Sequence, residues 1–297
     1  MDFLYPIILV ILGYTLKKIH IVPKETADYL IKLVFYIFLP ATLIHSLIKL
    51  PLTPSLLVLP VSGFIVALLC YLFGFLIKGS LDMERKTQGP FLIACGAMNQ
   101  GLFTYPFFLM YLGDEGLSYV AFYDVGQAIL ALTLGYYFAI KFGNASVDYR
   151  RLMKKMIAFP VMWAFSFALL INSLSLTSLI QPVCPLIDIL HNCTVPLIML
   201  SLGLFMEPRI REAKAMTAVI FTRFLLAFLF AYLLVSVFNL QGLERITVLI
   251  ASVAPPAMLT LVYSVEEKLD TKFTAALISL AIVIGLIYVP LLFTLLM

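Results

Sequence analysis

Long apolar stretches without a single charge recur along the whole chain, and they constrain the fold more than any other feature. Between Lys49 and Lys78, for instance, no charged residue occurs, and the same holds for residues 87–113, 246–265 and 273–297. Each stretch is long enough to cross a bilayer as a helix, which needs about 20 apolar residues. The runs are continuous rather than alternating, which does not fit a lipid-facing β-barrel. Of the 297 residues 63% are apolar and only 12% are charged, with a mean hydropathy of +1.06. A soluble chain of this length cannot hide that much apolar surface. A cytosolic enzyme, a nucleic-acid binder and a disordered regulator are thereby excluded. The expectation is an all-α integral membrane protein.

The charge-free runs predict ten spans, at roughly 3–20, 27–48, 54–77, 87–112, 117–140, 156–174, 185–206, 215–238, 245–265 and 272–296. Sixteen of the twenty Lys and Arg residues fall in the connections after the odd-numbered spans. The even-numbered connections hold only Lys49 and Arg245, and Lys32 and Arg223 lie within spans near their ends, where long side chains snorkel. By the positive-inside rule the odd connections are cytoplasmic and both termini are extracytoplasmic, in the cell membrane. Asp2 precedes the first run and Lys17-Lys18 follow it, the reverse of the charge order in a cleaved signal. Cys70, Cys95, Cys184 and Cys193 show no metal or redox spacing and read as small core residues.

A basic linker near 141–155 divides the chain into a first five-span half, 1–148, and a second, 149–297. An odd number of spans per half forces opposite orientations, so related halves form an inverted repeat. Pro6 and Pro160 lie 154 apart, and Pro40 and Pro196 lie 156 apart. The stronger signal is in spans four and nine. Span four carries Asn99-Gln100-Gly101 and Pro106, and span nine carries Ala254-Pro255-Pro256-Ala257, with both breaks at the middle of their charge-free runs. Consecutive prolines remove two amide donors and leave carbonyls near Ala251 and Ser252 without partners. Unpaired backbone groups in lipid cost several kcal/mol, so broken helices persist only inside protein or around a wet cavity. Two such helices crossing would present four half-helix ends, positive ends for anions and negative ends for cations. Asn99, Gln100, Gly101, Pro255, Pro256 and Ala257 are therefore the candidate substrate-binding residues.

Asp124 lies inside span five with Gln127 one turn on, so the two share a face. A membrane carboxylate is a candidate functional group. Carrying a proton, binding a cation and accepting hydrogen bonds from the broken span four all remain open for it. His45 follows Pro40, and histidine is the side-chain type suited to carrying a proton at physiological pH, which makes it a coupling or support candidate, though its position also suits an interfacial histidine. Asp188, His191 and Asn192 show no fixed ligand spacing and read as gate or interface residues, and no metal site is expected. Asp114, beside Glu115, reads as a solvated acid in a loop.

Taken together, several segments resemble the auxin efflux carrier family along nearly the whole chain. They are residues 32–41 (KLVFYIFLPA), Asn99 to Pro106, Tyr123-Asp124 with Gln127, Val195-Pro196-Leu197 followed by Leu202-Gly203, and Ala254 to Ala257. The resemblance implies a fold similar to bile acid sodium symporters, with crossed spans four and nine. Spans one, two, six and seven would form a scaffold, often dimeric, and spans three to five and eight to ten a mobile transport domain. It further implies elevator-type movement of a small organic anion, with the substrate-contacting Asn at Asn99 and the crossover proline at Pro255 or Pro256. Gln100 stands where the family usually has Thr, and Pro255-Pro256 doubles its usual single proline. The short inner connections suit a prokaryotic-type minimal member. No cofactor beyond a coupling Na⁺ or H⁺ is expected, and the partners are the anion, the bilayer and a second copy of the chain. Competing readings are a sodium-coupled symporter, a non-transporting receptor, and an intramembrane aspartyl protease built on Asp114 and Asp124, whose motif order is wrong for that chemistry.

Overall fold

In the computed structural model, which describes residues 4–23, 25–143 and 160–297, the chain is helical, with no strand among the described residues. This follows from the composition. An apolar chain in lipid must pair its backbone groups within each segment, and a helix does so without help from water. Among the described residues six stretches are long and apolar enough to cross a membrane: Thr26–Leu47, Pro54–Ser80, Gln100–Phe142, Thr177–Phe205, Ala213–Val237 and Thr271–Leu296. The other expected spans are shorter or interrupted. Helix α1 (Leu4–Lys18) has 15 residues and ends on Lys17 and Lys18. Spans four and nine are each divided by their breaks. Most of the basic linker and the boundary at 148/149 lie outside the described residues, while Lys141 belongs to the last turn of the helix that ends at Phe142.

The chain divides into two compact units. Unit one comprises residues 1–56, 101–121 and 159–206. It contains α1, α2 (Thr26–Leu47), the beginning of the long helix α5 (Tyr105–Phe142), α6 (Pro160–Ser173) and α7 (Cys184–Phe205). A π-helical turn, Val34–Phe38, lies just before Pro40 in α2. Proline lacks the N–H and crowds the preceding turn, and a widened turn accommodates it. The carbonyl of Phe38 accepts from the Thr194 hydroxyl at 3.3 Å, and the Thr42 and Thr194 hydroxyls share a hydrogen bond of 2.6 Å. Asn172 donates to the carbonyls of Leu47 and Leu50 at 2.6 and 2.8 Å, closing the end of α2. Helices α1 and α7 touch backbone to backbone. A Cβ on Gly13 would stand 2.3 Å from the Leu200 oxygen, and one on Gly203 would stand 2.1 Å from the Val10 oxygen. Small residues permit such close packing, which drives helix association where lipid removes the hydrophobic term.

Unit two comprises residues 57–100, 122–158 and 207–297. Among its described residues are α3 (Val58–Ile77), α4 (Arg85–Gly96), the remainder of α5, α8 (Ala213–Val237), α9 (Gly242–Ser252), α10 (Leu259–Glu266) and α11 (Thr271–Leu296). The same small-residue device joins α3 to α5, since a Cβ on Gly63 would meet the Tyr123 oxygen at 2.2 Å. At the start of α11 the Asp270 carboxylate accepts from the Phe273 amide at 2.9 Å and from the Thr87 hydroxyl at 3.1 Å, so one side chain caps α11 and ties it to α4.

The connection expected between spans four and five shrinks to a kink. Two helical segments of α5 meet at Gly113, whose φ of 64° and ψ of −158° are not helical. One residue that tolerates positive φ absorbs the whole change of direction.

The α1–α7 contact gives a direct test. Gly203→Val should lower the melting temperature in detergent clearly, whereas valine at Gly79, which has open space around it, should leave it within error of wild type. Equal effects of the two would contradict the close approach.

Candidate functional site

Helix α4 ends at Gly96, and Ala97 is extended (φ −78°, ψ 126°). Helical geometry resumes at the π-helical turn Gln100–Thr104 that leads into α5. Helix α9 ends at Ser252, and α10 begins at Leu259. Both expected breaks are therefore present, and they face each other. The Asn99 amide donates to the Pro255 carbonyl at 2.8 Å, and the Ala257 amide donates to the Ala97 carbonyl at 3.0 Å. Met98 and Pro256 lie opposite each other as an antiparallel bridge. These two bonds flank the Met98–Pro256 pair, which needs none of its own. A proline fits only such a non-donating place in a ladder. The Met98 amide turns instead to the Gln127 side-chain oxygen at 3.1 Å.

The prolines also deprive two carbonyls of α9 of their helical donors, and that of Ala251 keeps one long backbone bond, 3.4 Å from the Ala254 amide. In an unbroken helix the amides of residues 255 and 256 would donate to Ala251 and Ser252. Here Gln100 Nε2 donates to the Ala251 oxygen at 2.8 Å, and Arg223 Nη2 donates to the Ser252 oxygen at 2.5 Å. Arg223 further donates to the oxygens of Ala254 at 3.0 Å and Cys95 at 3.4 Å. The guanidinium thus spans the last residues of both α4 and α9. Helix C-termini carry negative partial charge, and a cation is favourable there. The rigid fork of donors suits several acceptors at once.

Arg223 was expected to snorkel from a span end, and the structure corrects this. The side chain is wholly buried, held by the π-helical turn Thr222–Leu226 of α8. The sequence contained a warning: Arg223 is nine residues beyond Lys214, about 13 Å along a helix, farther than its side chain reaches. A second missed role is that of Gln100, which replaces one of the two donors that the doubled proline removes.

The structure brings Asn99, Gln100, Pro255, Pro256 and Ala257 together, all buried. Asp124 and Gln127 join them, as Gln127 Nε2 donates to Asp124 Oδ1 at 2.5 Å while its oxygen serves Met98. The carboxylate thereby fixes which way the Gln127 amide points. With Nε2 committed to Ala251, Gln100 Oε1 is a buried acceptor without a partner. Gly101 belongs to unit one, where a Cβ would meet Leu39 at 3.3 Å. His45 is not part of this group. It stands in unit one with Asp114, Asp188 and His191. Asp114 is correspondingly not a free loop acid, for its Oδ1 accepts from Ser46 Oγ at 2.7 Å. Each of the two aspartates of the protease reading has its own partners in a different setting.

Comparison with known proteins follows the same line. The model of a family described as membrane transport protein matches residues 2–293. A protein called an uncharacterized transporter in Methanocaldococcus jannaschii is 30% identical over 296 residues, covering 96% of this chain and 94% of its own length. Another uncharacterized transporter, from Methanothermobacter thermautotrophicus, is 30% identical over 291 residues, with the same coverage.

Removing the guanidinium should be severe. Arg223→Met orphans three buried carbonyls, at about 1–3 kcal/mol each, and should abolish a cooperative melt or lower its midpoint steeply. Gln100→Ala, which leaves the Ala251 carbonyl with only its long bond from the Ala254 amide, should fall between that variant and wild type. A melt of Arg223→Met at the wild-type temperature would contradict the assigned bonds.

Proposed function

Because the chain belongs to the membrane transport protein family, the auxin efflux carrier family that its motifs resemble, we propose that this multi-pass membrane protein is a secondary carrier for a small organic anion of the carboxylate class. One observation carries the choice of an anion. Arg223 sits on the carbonyl ends of α4 and α9, where half-helices would otherwise attract a cation. The field left at the crossing is that of the two opposite ends, the starts of the Gln100–Phe142 helix and of α10, whose first amides have no partner within the helix. A carboxylate is the natural occupant of such ends. Asn99 and the Gln100 oxygen supply polar groups for its remaining atoms.

The reading includes ten spans in two inverted five-helix repeats, with both termini extracytoplasmic. The pairing of breaks 156 residues apart, at Asn99 and Pro255, supports the repeat. It also includes an elevator-type movement of spans three to five and eight to ten past a scaffold of spans one, two, six and seven, in a homodimer. The division into two compact units supports the movement, with the difference that residues 101–121 go with unit one. Coupling is to protons, through Asp124, or is absent. The carbonyls that a sodium ion would use near the crossing already accept from Arg223 and Gln100.

Counterflow in proteoliposomes tests the proposal. A panel of radiolabelled mono- and dicarboxylates should include one whose uptake saturates and survives replacement of sodium by potassium. Asn99→Ala should reduce that flux at least tenfold with the melting temperature unchanged. Wild-type flux in this variant would refute the assigned site, and flux that vanishes without sodium would favour the sodium-coupled reading instead.

A further inference from the structure

His45, Asp114, Asp188 and His191 come from three different helices of unit one and converge. His45 is in the last turn of α2. Asp114 opens the second segment of α5, just after the turn at Gly113. Asp188 and His191, one turn apart on one face, lie in the first half of α7. His191 Nε2 is 3.6 Å from Asp114 Oδ1, and His45 Nε2 is 3.9 Å from Asp114 Oδ2 and 3.8 Å from Asp188 Oδ1. The two imidazoles meet edge to face with centroids 4.1 Å apart.

These separations are too long for hydrogen bonds. They suit groups that share a cation. Around a tetrahedral dication with metal–ligand distances of about 2.0–2.1 Å, neighbouring ligand atoms stand about 3.3 Å apart, so small side-chain rotations would close the set. One ligand atom each from His45, Asp114 and His191 already lies within 4.8 Å of the others. Nε2 of each ring faces the carboxylates, and Nδ1 of both His45 and His191, on the other side, is buried without a hydrogen-bond partner, so no second bond fixes either ring against the small rotation the ion needs. His191 is nine-tenths buried, whereas Asp114 and Asp188 are 43% and 56% exposed, which leaves an entry path for an ion. Asp114 Oδ1, the oxygen nearer His191, also accepts from Ser46 Oγ, the kind of outer partner that orients a ligating carboxylate. The charged and titratable neighbours of His191 are His45, Asp114, Asp188 and Lys49.

We propose that His45, His191 and Asp114, with Asp188 or water in the fourth place, form a binding site for a divalent first-row transition metal of the zinc class. Two neutral imidazoles and carboxylate oxygen are the donors that such ions accept. Magnesium and calcium prefer all-oxygen sets and bind poorly here. The bound ion ties α2, α5 and α7 together within unit one, and so stabilises the folded state by its own affinity. No short motif announces the site, because no two ligands from different helices are close in sequence.

Cobalt(II) reports the geometry directly. Untagged protein, stripped with chelator and titrated with Co²⁺ in detergent, should develop visible d–d absorption of tetrahedral intensity, saturating at one ion per chain. Zn²⁺ should displace it and Mg²⁺ should not. His191→Gln should abolish the bands, and Ser46→Ala should weaken Co²⁺ about tenfold, both melting like wild type in the presence of chelator. Should His191→Gln not fold, protection of His45 and His191 from diethylpyrocarbonate by Zn²⁺ in the wild-type protein gives the same reading. No saturable absorption, bands that persist in His191→Gln, a thiolate charge-transfer band lost in Cys193→Ser, or unprotected histidines would overturn the assignment.

Discussion

Unit two depends on how the protein supplies donors to the carbonyls that Pro255 and Pro256 leave behind. A helix interior has no slack in its hydrogen bonds, and lipid offers no water to replace a missing one. Two prolines in succession therefore demand two new donors. The protein provides them from opposite directions: Gln100 from the other broken helix and Arg223 from α8. The same guanidinium reaches the end of α4, so one cation closes both half-helices at their negative ends. Its own burial becomes tolerable for the same reason, since each favourable bond is made to an oxygen that would otherwise stand alone.

From this local arithmetic comes the polarity of the crossing. With the carbonyl ends occupied, the free electrostatic character belongs to the amide ends of the following helices. The antiparallel bridge at Met98 and Pro256 holds the two breaks in register, and Gln127, oriented by Asp124, holds Met98 in turn. The crossing is made mostly of backbone and is rigid, because displacing any part of it strands a buried polar group.

Much of this was legible in the chain. Proline and glycine act through their own covalent geometry, so the breaks around Asn99-Gln100-Gly101 and Pro255-Pro256, and the loss of helical donors at Ala251 and Ser252, followed from sequence alone. What filled them did not, because the donors are brought in by tertiary packing: Arg223 is 29 residues from Ser252, and Gln100 is 151 from Ala251. The departures from the family pattern at Gln100 and Pro255-Pro256 looked independent in sequence, but in the structure one answers the other. Asp114 does stand beside the connection at Gly113, but its bond to Ser46 and its histidine neighbours were invisible because they come from other helices, as do the members of the histidine–aspartate cluster apart from Asp188 and His191. Among the described residues six long spans are apparent where ten were expected, since spans one and six are short helices and breaks divide spans four and nine.

Hydrogen–deuterium exchange at the crossing tests the central claim most directly. The paired amides of Asn99 and Ala257 should exchange slowly in the free protein, while those of Gln100 to Leu102 and of Met258 and Leu259 exchange faster and slow down when a transported carboxylate is added. Rapid exchange at Asn99 and Ala257, or protection by the anion at the ends of α4 and α9 instead, would contradict the account.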